Sequence, residues 1–193
     1  MEKVVHVLGF AGSLRRGSYN LALLRAAAEL APPEVQIETF DLEGIPVFSQ
    51  DLEPDMPARV KEFKAQIKSA DAILIVTPEH NYSVPGVLKN AIDWASRPPG
   101  DNSFYNKPVA MMSASTGILG GARAQYHLRQ CFVFLDMHAV NRPEIFVGKA
   151  ADKFDAAGKL NDPKARELIV TLLQTLADWT IKLKKPNLVA QVV

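Results

Sequence analysis

The chain has 193 residues, of which 48% are hydrophobic and 22% are charged, and its formal net charge is +1. This length and balance predict one soluble globular domain over residues 1–193, and scattered basic residues argue against a nucleic-acid partner or an anionic membrane surface. No apolar run approaches the ~20 residues that cross a bilayer, and Met1 leads into a short strand instead of a signal-peptide core, so we expect a cytoplasmic protein.

Short apolar runs, which predict strands, alternate along the chain with amphipathic segments, which predict helices. The prediction of the first helix depends on Leu21, Leu24 and Ala28, which recur at helical spacing. In chain order the first part predicts a strand over 4–8, a helix over 18–30, a strand over 35–40, an irregular loop over 46–57 and a helix over 57–69.

The second part begins with the strand over 72–76, whose unbroken apolar character is typical of a central parallel strand covered on both faces. It continues with a helix lined by Val87, Leu88, Ala91, Ile92 and Ala95, a strand over 108–112, a helix over 120–135 and a strand over 140–147. A final helix opens at Asp162-Pro163, with aspartate as the N-cap and proline at the first helical position. Five strands alternating with helices predict a doubly wound parallel α/β sheet with helices on both faces.

Ligands of such sheets bind beyond the carboxyl ends of the strands, where this chain has loops over 9–20, 77–86 and 113–121. The first loop has neither dinucleotide nor P-loop glycine spacing. It offers the hydroxyls of Ser13 and Ser18, the amide of Asn20 and the guanidinium of Arg15 beside a helix N-terminus, which is what a terminal phosphate requires. The same residues fit an ordinary capped helix with two solvated arginines equally well.

The other two loops also carry ligand-type residues. Glu79, His80 and Tyr82 give the second loop a carboxylate, an imidazole and an aromatic ring between a strand and a helix. The third loop is rich in glycine around Ser115, which would let the backbone approach a flat ligand closely. Its alternative interpretation is a flexible turn followed by a helix start. The joint occurrence of three such loops at one sheet edge favours a ligand site.

Five segments together resemble the NADPH-dependent FMN reductase family, and more narrowly the bacterial chromate and quinone reductases. These segments are GSLRRGSYN at 12–20, TPEHNYSVPG at 77–86, LKNAIDW at 88–94, GGAR at 120–123 and YHLRQ at 126–130. The resemblance covers nearly the whole chain. It implies a flavodoxin-like fold with strand order 2-1-3-4-5, bound FMN, NADPH or NADH as electron donor, and a homodimer or homotetramer. The implied activity is ping-pong hydride transfer through FMN to quinones or other small acceptors, such as chromate, nitro or azo compounds.

The resemblance also implies the cofactor-binding residues. The first loop would hold the FMN phosphate, the second would pack along the ring and ribityl chain, and Ser115 would close the other side of the ring. The full set is Ser13, Leu14, Arg15, Ser18, Tyr19, Asn20, Pro78, Glu79, His80, Asn81, Tyr82, Ser83, Ser115 and Gly117. We expect no catalytic side chain, because the hydride chemistry belongs to the cofactor.

Two features leave details of the resemblance undecided, namely the residue at position 80 and the arginine pair of the first loop. His80 stands where the family usually has tyrosine, and its imidazole either titrates near neutrality or serves only as a flat packing group. Arg15 and Arg16 leave room for the extra phosphate of NADPH, without deciding between NADPH and NADH.

An alternative function is that of a flavodoxin-type electron carrier, which binds FMN but has no NAD(P)H activity of its own. Such carriers are usually strongly acidic, so that they dock on basic partners, whereas this chain is nearly neutral. The charge balance therefore favours the enzyme. Histidines far apart in sequence and a single cysteine, Cys131, argue against a metal site and against disulfides.

Two surfaces are candidates for subunit contacts. The helix over 120–135 has a core face of Leu128, Cys131, Phe132 and Leu135. Its second face carries Arg123, Tyr126, His127, Gln130 and Phe134, which suits either a subunit contact near the flavin or plain exposure. On the preceding helix Asp93, Trp94 and Arg97 are predicted to project away from the core, and an exposed tryptophan there favours a dimer contact.

Overall fold

Residues 4–184, which are those that the computed structural model describes, form a parallel sheet between two layers of helices. The strands are β1 (Val5–Ala11), β2 (Val35–Phe40), β3 (Ala72–Thr77), β4 (Pro108–Ala114), β5 (His138–Ala139) and β6 (Ile145–Val147). The helices are α1 (Tyr19–Glu29), α2 (Ala58–Ser69), α3 (Gly86–Ala95), α4 (Ala122–Leu135) and α5 (Pro163–Lys184). None of the helices in this part of the chain has the length and apolar character needed to span a bilayer.

The sheet confirms the predicted strand order, with one change at its last position. The order is β2-β1-β3-β4-β5, and β6 also pairs with β4, so two short strands share the fifth place. The continuous strand predicted over 140–147 is therefore wrong in extent. β5 pairs with the start of β4 and β6 with its end, and the chain between them includes Pro143, which has no N–H to give to a ladder.

Alternate side chains of the central strand, β3, pack into two hydrophobic cores on opposite faces of the sheet. Leu74 and Val76 pack with residues of α1 and α5 on one face. Ile73 and Ile75 pack with residues of α2, α3 and α4 on the other face. Helices on both faces therefore bury β3 completely, as its apolar sequence predicts.

The first strand and the first helix fit together more closely than the sequence indicates. β1 runs on through Gly9 to Ala11 instead of ending at residue 8. A Cβ atom on Gly9 would lie 2.8 Å from the Leu24 side chain, so glycine at this position permits the close approach of α1 and does not end the strand. On α1 itself Ala28 is exposed, and Leu23 and Ala27 lie in the core.

Trp94 is fully buried, so the predicted dimer contact through an exposed Trp94 is wrong. Its ring Nε1 donates a hydrogen bond to the carbonyl of Pro46 over 2.8 Å, and its ring packs edge-on against Phe48 with centroids 4.9 Å apart. Asn90 bonds the same carbonyl over 2.8 Å. The loop over 46–57 thus folds across α3, and this cover comes from a distant segment that helical periodicity does not reveal.

Candidate functional site

Three loops leave the same edge of the sheet. Ala11 of β1 lies beside Val76 of β3, and Thr77 of β3 lies beside Ser113 of β4, so these strands end together. We call the loops that follow them the first loop (residues 12–18), the hairpin loop (residues 78–85) and the glycine loop (residues 115–121). The sequence-predicted cofactor residues lie on these loops or, for Tyr19 and Asn20, in the first turn of α1, so the fold brings them to one edge.

The first loop is a tight turn that caps α1. Ser18 is buried, and its Oγ accepts a hydrogen bond from the Asn20 N–H over 3.2 Å, as an N-cap does. The Ser18 N–H donates to the carbonyl of Arg15 over 2.9 Å, and the Arg15 N–H donates to Ser13 Oγ over 3.4 Å. The loop is therefore ordered by its own hydrogen bonds.

Several backbone donors of this loop remain open. In the described part of the chain, the N–H groups of Leu14, Arg16 and Gly17 have no protein acceptor, and all three residues are exposed. The Arg15 guanidinium lies 5.8 Å from the centroid of the Tyr19 ring, beside the same helix start. Open N–H groups, a cation and the positive end of α1 together suit an anion such as a phosphate.

Asn20 joins the first loop to the end of β4. Its side chain is almost completely buried, its Nδ2 donates to the carbonyl of Ala114, and its Oδ1 accepts from the Ala114 N–H, each over 2.9 Å. The amide therefore fixes the start of α1 against the start of the glycine loop. Direct contact between Asn20 and a phosphate stays a prediction.

The hairpin loop contains a two-residue turn. His80 and Ser83 exchange backbone hydrogen bonds of 3.1 and 2.9 Å. Between them Asn81 and Tyr82 have φ angles of 49° and 67°, which is the pattern of a type I′ turn. Asparagine adopts this conformation readily, whereas a bulky residue such as tyrosine rarely does. The turn carries Tyr82 at an exposed tip, and the His80 side chain is exposed beside it.

Side chains of the hairpin loop bind the start of α4. The Glu79 carboxylate accepts the backbone N–H of Arg123 over 3.0 Å and the Arg123 Nε over 2.5 Å, and it also contacts the Arg123 Nη2. This hydrogen bonding raises the pKa of the Arg123 guanidinium above its ordinary value. The same guanidinium lies 3.5 Å from the centroid of the Tyr82 ring. Ser83 Oγ and His127 Nδ1 form a further bond of 2.8 Å. Glu79 is therefore engaged in structural contacts.

The glycines at the end of the glycine loop are required by packing. Gly120 and Gly121 have φ angles of 60° and 90°. A Cβ atom would lie 2.6 Å from the Phe146 backbone at Gly120 and 2.7 Å from the Ser113 side chain at Gly121. The sequence predicts for glycine in this loop either close contact with a ligand or a flexible turn, whereas these two glycines are needed for contact with the protein itself.

The exposed part of the glycine loop lies at residues 116–119. Ser115 precedes it and is held on both sides, because its N–H donates to the Val147 carbonyl and its own carbonyl accepts from Ala150, each over 3.0 Å. Ser115 Oγ accepts from the Gly117 N–H over 3.2 Å. A rigid base therefore supports a short exposed segment.

The sequence did not identify the contacts that hold the hairpin loop. The sequence predicts Arg123 and His127 on a face for either subunit contact or plain exposure, yet their side chains bond Glu79 and Ser83. Nothing local marks these pairs, since each joins residues 44 positions apart. For the first pair, the available signal was the opposite charge of Glu79, on one predicted loop, and Arg123, just after another loop at the same edge.

Several cavities lie away from this edge. One of about 330 Å³ lies between Val140 and Trp179, and one of about 660 Å³ lies near Lys107 and His138, where strands begin. Neither is lined by residues of the three loops. The candidate site rests on the convergence of the loops and not on the size of a cavity.

Comparison with known proteins gives consistent similarities. The NADPH-dependent FMN reductase family model matches residues 5–152. An NAD(P)H-dependent FMN reductase of Pseudomonas aeruginosa is 52% identical over 185 residues, which cover 95% of this chain and 100% of that protein. A quinone reductase of Pseudomonas putida is 43% identical over 186 residues, which cover 96% of this chain and 99% of that protein. The solved structure of FerB, a flavoenzyme NAD(P)H:(acceptor) oxidoreductase from Paracoccus denitrificans, matches with a TM-score of 0.85 at 34% sequence identity. The match covers 93% of this chain and 98% of the FerB chain. The family match includes all three loops.

Proposed function

The chain belongs to the NADPH-dependent FMN reductase family, and we propose that it acts in the cytoplasm as an FMN-dependent NAD(P)H:quinone oxidoreductase. The observation that carries the proposal is the convergence of the first loop, the hairpin loop and the glycine loop at the carboxyl edge of the sheet. We further propose a ping-pong order of donor and acceptor, with chromate, nitro and azo compounds as additional acceptors.

The first loop fits the phosphate of FMN. Its open N–H groups at Leu14, Arg16 and Gly17 are the donors that a dianion requires, and the capped start of α1 adds a favourable dipole. The Ser13 hydroxyl and the Arg15 guanidinium belong to the same turn. We therefore assign phosphate binding to this loop, with Asn20 holding it against β4.

The other two loops fit the flat ring. The hairpin loop would bind one side of it through Pro78 to Ser83, and Ser115 and Gly117 would lie at the other side. When bound, FMN supplies two-electron chemistry, since its ring takes up and gives back a hydride. Exposed backbone at 116–119 can offer N–H groups to the polar edge of the ring, which is how fixed dipoles stabilise negative charge. No side chain is required as nucleophile or general base.

We propose that the protein is a homodimer or a homotetramer that uses the outer face of α4. Tyr126, Val133 and Phe134 on this face are 50%, 83% and 88% exposed, an amount of apolar surface that favours association. Sedimentation should show an oligomer that Phe134→Glu dissociates, whereas a monomeric wild-type protein would contradict this proposal.

The decisive experiment is a visible spectrum of the purified protein before and after anaerobic NADPH. Flavin absorption that bleaches with NADPH and returns with a quinone would support the proposed function. A coloured protein that does not react with NADPH or NADH would support the electron-carrier alternative. A colourless protein that takes up no added FMN would contradict both. Parallel lines in double-reciprocal plots at several quinone concentrations would support the ping-pong order.

A further inference from the structure

Helix α4 begins without an anion of its own. Its N-cap is Gly121, which offers no side-chain acceptor, and its first turn contains no acidic residue. The carboxylate of Glu79, on the hairpin loop, accepts the N–H of Arg123 in this first turn. A residue 44 positions earlier in the chain thus supplies the negative charge that the positive end of a helix favours.

Arg123 also holds the hairpin loop from a second side. Its guanidinium bonds Glu79 at the base of the hairpin and lies against the ring of Tyr82 at the tip. The Glu79 side chain is only 7% exposed, so its charge depends on these donors. One arginine therefore fixes both the base and the tip of the hairpin.

The hairpin depends on such side-chain contacts. In the described part of the chain, the backbone hydrogen bonds of residues 79–84 are those between His80 and Ser83, inside the hairpin itself. Its hydrogen bonds to the rest of the protein are made by the side chains of Glu79 and Ser83. Because Tyr82 holds a disfavoured backbone conformation at φ 67°, the surrounding contacts have to maintain it.

We propose that Glu79 and Arg123 form a clamp that sets the hairpin at the distance from the first loop that FMN requires. Arg123 is then a positioning residue for the flavin, and it does not bind the electron donor. This inference rests on the proposed function, because it assigns the hairpin to the wall of the flavin site.

A competing role for Arg123 is direct binding of a phosphate of NADPH. The geometry disfavours this role, because the guanidinium is already engaged by a buried carboxylate and an aromatic ring. The two roles differ in what a substitution changes. A clamp affects FMN affinity and the motion of the hairpin, whereas a donor-binding residue affects the KM for NADPH.

The test compares Glu79→Gln, Arg123→Lys and the double variant with Glu53→Gln. Glu53 accepts a bond of 2.8 Å from Arg97, and the side chains of this control pair are 10% and 31% exposed, against 7% and 36% for Glu79 and Arg123. Each clamp variant should raise the Kd for FMN about ten-fold, as loss of one charge-assisted hydrogen bond does. The double variant should bind little worse than either single variant, because both remove one contact. Glu53→Gln should leave the Kd unchanged.

Hydrogen exchange supplies a readout that is independent of activity. The His80 and Ser83 amides should exchange faster in the flavin-free clamp variants than in flavin-free wild type, and the KM for NADPH should stay the same. A raised KM with unchanged exchange and FMN affinity would overturn the clamp. If wild type binds no FMN, the proposed function fails, while unchanged exchange in the variants would show separately that no clamp exists.

Discussion

The ends of α2 and α3, at the amino edge of the sheet, differ from the start of α1, at the carboxyl edge. At the amino edge, Lys64 Nζ donates to the carbonyls of Ala95, Arg97 and Asp101, next to the end of α3. In the same manner Lys107 Nζ donates to the carbonyls of Lys68 and Ala70 at the end of α2. These lysines donate hydrogen bonds to carbonyls at or beyond the helix ends, where intrahelical N–H donors are lacking.

At the carboxyl edge the first loop leaves N–H groups at Leu14, Arg16 and Gly17 without a protein acceptor. The compensating group is thus built into the protein at the ends of α2 and α3, whereas donors beside the start of α1 stay open. The contrast teaches that a buried charge on this fold is no sign of a functional site by itself. We expect damage at the amino edge to reduce stability, and damage at the carboxyl edge to reduce FMN affinity as well.

The largest effect is expected from Lys64→Met. This change leaves three carbonyls without their donor and removes one of the two lysine partners of Asp101, so the free energy of unfolding should fall by about 2–3 kcal/mol in urea titration. The Kd for FMN of the folded variant should not change. Lys68→Met is the control, because its side chain is 52% exposed and should matter little. A weaker FMN affinity without lower stability would break the comparison between the edges.

Asn20→Ala should reduce both the stability of the fold and the affinity for FMN. Loss of two buried hydrogen bonds to Ala114 should lower the free energy of unfolding by about 1.5–2 kcal/mol, and release of the first loop should weaken FMN binding. Asn102 is the matched control, because its side chain also bonds two backbone groups, the Leu135 carbonyl and the Phe104 N–H. Asn102→Ala should lower stability similarly but leave FMN affinity intact. Equal losses of affinity in both variants would contradict a specific role for Asn20.

Asp162→Ala tests a built-in cap at the start of α5 and should cost about 1 kcal/mol. Asp162 Oδ1 accepts the Ala165 N–H over 2.7 Å, and this bond, assisted by Lys153, lowers the pKa of the carboxyl below its ordinary 3.8. Because its pKa is lowered in the folded state, the ionised Asp162 carboxylate adds to the free energy of unfolding above pH 3.8. This contribution is lost as the pH falls through the folded-state pKa. The stability difference between wild type and Asp162→Asn should therefore shrink below pH 3.8, and a pH-independent difference would exclude a charge effect.

The sequence predicts the parallel sheet and the edge that carries the candidate loops because both depend on local signals, whereas the strand order follows from the family resemblance. Apolar runs mark β1, β3 and β4, and the polar residues that follow them must then share an edge. The burial of Trp94 could not be predicted, since its cover is a loop that precedes it by more than a helix and a strand. The contact between Glu79 and Arg123 could not be predicted from local patterns either, because the two residues lie 44 positions apart in the chain.

The turn at the tip of the hairpin was hidden for a different reason. Type I′ turns are recognised by Asn-Gly or Asp-Gly, and this chain has tyrosine in the second place. The pattern that normally reveals the turn is therefore missing where the backbone nevertheless adopts it, at φ 49° and 67°. Such a departure marks a position where local preference has been overridden, which is common at functional sites.

Tyr82→Gly carries the smallest expected effect on stability and gives the sharpest contrast between the edges. It produces the residue order that the turn prefers and removes the unfavourable φ of tyrosine, although it also loses the contact with Arg123. The free energy of unfolding should therefore stay the same or rise by up to about 0.5 kcal/mol. The Kd for FMN should increase, because an exposed aromatic tip of the proposed flavin wall is lost. Tyr105→Gly is the control, since Tyr105 is 61% exposed, against 68% for Tyr82, and lies away from the three loops. Lower stability in Tyr82→Gly with unchanged FMN affinity would show that the tyrosine serves the fold and not the flavin.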